Sequence, residues 1–227
     1  KCRAGTYTQP QVFEVTGGEL AAAVAPLEGG RLLGMPHKAA IPGHGTVEVG
    51  PFEPARKAAR AYRENMSIDT AEPRTYVRVD PQYGRSVARA FDKLKHDPKN
   101  PKVKAAYSAM IEETIAQYQE IKKTGLKVEF IEGKDPYAAS PRLAIEDVKN
   151  NNHLWVFPTD AGFGADGPDA KYLKDNPMLQ PTSEKIGDRT LLANNVFRIV
   201  HDYFGHIAEG NGFRADGEEN AWRIHAS

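Results

Sequence analysis

The stretch Thr190–Ser227, TLLANNVFRIVHDYFGHIAEGNGFRADGEENAWRIHAS, carries three of the chain's seven histidines among five carboxylates. Its first part, Thr190–Gly210, can form a helix whose Leu192, Val196 and Ile199 supply a buried stripe. A second helix is predicted in ADGEENAWRIHAS, with Asp216 as N-cap and Glu219 at the capping-box position. A short turn between the two would fold residues 190–227 into a helical hairpin and carry the polar residues of the second helix back toward His206.

His201 and His206 are five residues apart, wider than the one-turn spacing of two histidines that share a zinc ion on an ideal helix. They can converge if the helix is locally distorted, or if they bind from adjoining faces. Asp202, His206 and Glu209 follow steps of four and three and lie along one face, and Glu218 and His225, seven apart, can share another. Neutral imidazoles with a carboxylate suit Fe(II), Zn(II), Mn(II) or Ni(II). The candidate metal ligands are therefore His201, His206, Glu218, Glu219 and His225. Asp202 and Glu209 are the candidate acid–base groups, or the partners that orient an imidazole. Two histidines and one carboxylate are the facial arrangement of non-haem Fe(II) oxygenases. The same donors around Zn(II) or Mn(II) would activate water for hydrolysis. The plainer alternative is a helix hairpin whose histidines make hydrogen bonds and whose acids face water.

HDYFGH, residues 201–206, resembles the H-[DE]-x-x-G-H segment of the pterin-dependent aromatic amino acid hydroxylases. In that family both outer histidines bind iron, which implies iron-binding roles for His201 and His206, with Glu218 or Glu219 completing the triad. The His201–Asp202 doublet and the nearby Gly205–His206 are also similar to HD-domain phosphohydrolases; that comparison implies an upstream histidine and a later aspartate, for which His153 and Asp216 are candidates. NNNHLWVFPTDAGFG together with NNVFRIVHDYFGH resembles uncharacterised phage-encoded domains. This leaves a virion-associated structural or interaction module as the non-enzymatic reading.

The rest of the chain sets the frame. Its 227 residues can bury a substantial core, and 30 basic residues balance 30 acidic ones. That balance gives no global reason to bind nucleic acid or an anionic membrane. The basic cluster KLKHDPKNPKVK reads as a solvated surface. No apolar run approaches a spanning length, so no transmembrane segment is expected. Cys2 is the sole cysteine, which excludes an internal disulfide and a cysteine-rich metal site; the composition leans cytoplasmic. GFGADG lacks dinucleotide-binding spacing, and no phosphate-binding GxxxxGK[ST] or GxSxG elbow occurs. Strands are predicted in TYVRVD, LKVEFIEG and HLWVFP, helices in EPARKAARAYREN, GRSVARAFDKLKHD and DPYAASPRLAIEDVKNN, and a long amphipathic helix over residues 103–121. A strand, turn and short helix are predicted over residues 11–27. The segment TDAGFGADGPDAKYLKDNPMLQPTSEKIGDR reads as a long loop, disordered or closed over a cleft. The expected fold is α+β, mainly helical with short strands and long turn-rich loops, in a single domain spanning 1–227. The abrupt ends suggest a processed product or a fragment, from which a ligand could be missing. Expected partners are a small-molecule substrate, or a protein partner for the non-enzymatic reading.

Overall fold

A computed structural model describes residues 33–69, 75–95, 97–159 and 174–226. Cys2, the strand–turn–helix expected over residues 11–27, and residues 160–173 of the long turn-rich segment lie outside the described residues.

The fold is α+β and predominantly helical. A hairpin of β1 (His37–Ile41) and β2 (Gly45–Val49) leads into α1 (Glu53–Asn65). Two proline-initiated helices follow, α2 (Pro81–Lys93) and α3 (Pro101–Lys123). Proline's fixed φ suits a first turn, and its missing N–H loses nothing there. Asp80 and Asn100 cap the two helices by accepting from the N–H groups of Gln82 and Lys102. Then come β3 (Lys127–Phe130), α4 (Leu143–Asn151) and β4 (His153–Val156); β3 and β4 pair in parallel, with α4 in the crossover.

β5 (Pro181–Ile186) and β6 (Arg189–Leu192) form an antiparallel hairpin where the sequence had suggested a loop and the first turn of a helix. The Gly187–Asp188 pair between them is a two-residue hairpin turn. The helix α5 therefore begins at Ala193 and runs to Val200. A π-helical segment, His201–Ile207, continues it, and α6 (Ala215–His225) packs against that segment.

TYVRVD departs from its predicted strand. Asn220 on α6 accepts from the Val77 N–H (2.8 Å) and donates to the Val77 carbonyl (2.7 Å), so one side-chain amide supplies what a strand neighbour would. Asp216 accepts from the Val79 N–H at 2.9 Å, which takes it away from the predicted capping role. The N-cap of α6 is instead Arg214, without a side-chain capping bond.

The core gathers around α5 and the π segment. Val196, Ile199, Val200, Tyr203 and Ile207 are buried with Tyr118 and Ile121 of α3, Ile145 and Val148 of α4, and Leu154 and Val156 of β4. Each such burial contributes about 1.5–3 kcal/mol before entropy is counted. The packing fixes one side of the α5–π rod and leaves its histidine-bearing side turned toward α6.

Candidate metal centre

Five steps along an α-helix separate two side chains by roughly 140° around the axis, too far for a shared ligand. In a π turn the backbone bonds run from residue i+5 to residue i, so a five-residue spacing returns nearly to the same face. The Ala208 N–H donates to the Tyr203 carbonyl, and the Asn211 N–H to the His206 carbonyl, both at 2.9 Å. His201 and His206 converge in consequence, and their Nε2 atoms stand 3.2 Å apart.

Tertiary anchors hold this register. The Phe52 N–H donates to the Ala208 carbonyl at 2.9 Å. Arg56 of α1 grips Glu209 with two charge-assisted bonds of 2.6 and 2.5 Å. The Asn211 side chain donates to the Gly205 carbonyl at 2.8 Å. Chain exit from the π segment is thus pinned to the start of α1.

α6 delivers the third donor. A Cβ on Gly205 would lie 3.0 Å from the Ala221 carbonyl oxygen and 3.1 Å from the Ala221 Cβ, so the two helices meet over a missing side chain. A Cβ on Gly217 would lie 1.8 Å from the Gly212 carbonyl oxygen, a position only glycine can occupy. Glu218, the next residue, then reaches both imidazoles: its Oε2 is 3.4 Å from His201 Nε2 and 3.3 Å from His206 Nε2. Three donor atoms from two elements form a nearly equilateral triangle. It is the one histidine–carboxylate group of this kind among the described residues, and it can coordinate a metal ion.

The surroundings differentiate the donors. The His206 side chain is 1% exposed, against 21% for His201 and 48% for Glu218, so the triangle is buried on one side and open on the other. Nδ1–H of His206 donates to the Asn211 carbonyl at 3.3 Å, which leaves the Nε2 lone pair directed at the triangle. Phe213 stacks on the His206 ring, centroids 4.1 Å apart, and Phe197 on the His201 ring at 6.0 Å.

Electrostatics match a cation site. Burial pushes the Glu218 carboxyl up, but hydrogen bonds and charge from His201 and His206 outweigh it and hold the group down to about 2. Burial works against a charged His206, yet Glu218 and Asp202 raise its pKa above the usual imidazole value. Asp202 has its carboxyl pushed up by burial, opposed by the charges of His206, His201 and Arg198.

Glu209 is bonded to Arg56, and Glu219 is outside the triangle. His225 is also outside it: its Nε2–H donates to Gln117 of α3 at 3.0 Å, while its ring centre lies 5.7 Å from that of His201. His153 sits between Asp147 (2.7 Å) and Glu129 (3.2 Å), and Asp216 is bonded to Val79. Neither residue joins His201 in the three-donor group. Sequence reasoning missed Asn211, whose side chain and backbone both serve the π segment; an asparagine five residues after His206 was the available signal.

No protein-family model, curated protein or solved structure matches this chain.

Proposed function

We propose that this chain is a mononuclear metalloenzyme of the non-haem Fe(II) oxygenase type, in which His201, His206 and Glu218 hold one divalent ion. The observation that carries this reading is the three-donor triangle with edges of 3.2–3.4 Å, buried behind and open in front. A single ion can sit about 2.0–2.2 Å from every corner of such a triangle. A structural zinc site closes its shell with four protein ligands, whereas three ligands and an accessible side leave positions for substrate or a small oxidant. Bound there, Fe(II) supplies Lewis acidity and one-electron chemistry with dioxygen.

The protein's own residues have separable roles in this reading. His206, fixed through Asn211, sets the direction of the ion. Glu218 neutralises one of its charges from the exposed side. Asp202, whose carboxyl burial pushes up beside both imidazoles, is the group that holds a proton near the site and exchanges it during turnover. Glu209 holds the π segment to α1 and takes no part in proton transfer. The substrate is a small molecule that enters from the side of Glu218.

One observation favours a second reading. Donor separations of about 3.3 Å are those of a tetrahedral ion with bonds near 2.0–2.1 Å, and octahedral right angles would bring the donors closer. That geometry suits a zinc-dependent hydrolase in which the fourth position holds water, and Mn(II) would serve the same chemistry.

Anaerobic reconstitution followed by nitric oxide addition separates the two. The oxygenase reading expects an iron–nitrosyl quartet signal in electron paramagnetic resonance that disappears in Glu218→Ala. Exclusion of iron by zinc, with metal-dependent cleavage of an activated phosphodiester, would overturn it in favour of the hydrolase.

A further inference from the structure

Ligating histidines are ordinarily oriented by a hydrogen bond from the second ring nitrogen. His206 has this bond, through Nδ1–H to the Asn211 carbonyl. His225 is the imidazole beside His201 that lies outside the triangle. Their ring centres are 5.7 Å apart, and both rings contact Phe197, at 6.0 and 5.7 Å. Two imidazoles joined by an N–H···N bond of about 3 Å have ring centres roughly 5 Å apart. The observed separation of 5.7 Å, with the rings tilted by 42°, is close to that value, and the bond requires the two Nδ1 atoms to turn toward each other.

His225 is prepared to accept. Its Nε2–H is committed to Gln117 Oε1 at 3.0 Å, so the neutral ring carries its lone pair on Nδ1. Gln117 belongs to α3, His225 to α6 and His201 to the junction of α5 with the π segment. The three would form a line from the core helix to the ion.

We infer that His225 is a positioning residue: Gln117 fixes its tautomer, and its Nδ1 accepts the Nδ1–H of His201 when a metal is bound, orienting the His201 ring. This inference rests on the metal site proposed above and assigns His225 to supporting a ligand rather than being one.

The test is Co(II) affinity, measured by competition with a chromogenic chelator, in the wild type, His225→Phe, His225→Asn and Gln117→Leu. Loss of such an outer partner weakens metal binding by about 10–100-fold. His225→Phe keeps the packing and removes the acceptor, and a loss in that range is expected. Asn places a carbonyl oxygen near the position of the lost Nδ1 and should recover most of the affinity. Gln117→Leu, which leaves His225 in place, should fall between the wild type and His225→Phe, and it decides the matter if His225→Phe does not fold. In proton NMR of the Co(II) protein, the shifted, exchangeable His201 Nδ1–H should exchange with water faster in His225→Phe while that of His206 is unchanged. Wild-type affinity in both His225→Phe and Gln117→Leu would overturn the inference and leave the metal site standing. Equal weakening in His225→Phe and His225→Asn would overturn it too, showing that the ring only packs. Failure of the wild type to bind Co(II) or any other divalent ion would remove the site and this inference together.

Discussion

His201 Nε2 and His206 Nε2 face each other at 3.2 Å, with the Glu218 carboxylate 3.4 and 3.3 Å from them. Two imidazole lone pairs at that separation repel unless a proton or a cation lies between them. The raised pKa of His206 and the depressed one of Glu218 show that the pair can be held by a proton. A divalent ion must displace that proton. Metal affinity should therefore rise with pH until His206 is deprotonated, then level off. Chelator competition at a series of pH values checks this; an affinity independent of pH below 7 would contradict it.

Gly205→Ala places a methyl group 3.0 Å from the Ala221 carbonyl. The π segment and α6 must then move apart, taking Glu218 away from the histidines. The variant should lose about 1–3 kcal/mol of stability, the usual cost of overpacking. It should also lose metal affinity, although it alters no ligand. Denaturant unfolding and metal titration of the same sample test both parts.

Arg56→Ala strands a carboxylate that is 11% exposed. The Arg56 side chain is 32% exposed, so solvent moderates the penalty, and a loss of about 1–3 kcal/mol is expected. Because Glu209 is outside the donor triangle, Glu209→Gln should retain stoichiometric metal while also being less stable. Loss of the metal from a folded Glu209→Gln protein would place Glu209 in the chemistry instead.

Burial and the charge of His201 hold His225 down to about 4, against 6.5 for an unperturbed imidazole. Between those values the unfolded chain binds a proton at this position and the folded chain does not. Stability contributed by the neutral ring is therefore present above pH 6.5 and lost as pH falls toward 4, by on the order of 3 kcal/mol. The metal-free His225→Phe protein should show a correspondingly flatter unfolding profile across that window. An unchanged slope would show that His225 titrates normally.

The sequence displayed the donors more clearly than the device that assembles them. The periodicity in residues 103–121 and the segment EPARKAARAYREN located α3 and α1, because apolar spacing and proline are local signals. HDYFGH presented two histidines at a spacing that an α-helix does not satisfy, and a local distortion was one of two solutions. The π segment is set by distant contacts, from Phe52 to Ala208 and from Arg56 to Glu209, that local spacing cannot contain. The same applies to TYVRVD. Its β-branched residues suggested a strand, but Asn220, more than a hundred residues later, occupies the hydrogen-bonding edge. Among the five candidate ligands, nothing local distinguished Glu218 from Glu219. The distinction follows from the rotation of α6 imposed by the close approach of Gly205 to Ala221 and of Gly217 to Gly212.

If His201, His206 and Glu218 form one metal site, metal content measured by inductively coupled plasma mass spectrometry must depend on them. The protein should be purified without a metal-affinity tag, loaded with Fe(II) without oxygen, and freed of excess metal by desalting. The wild type should retain close to one ion per chain. The His201→Ala/His206→Ala double variant should retain almost none while preserving its helical circular dichroism. Equal metal content in the two proteins, or none retained by the folded wild type with Fe(II), Zn(II) or Mn(II), would show that these three residues do not form a metal site.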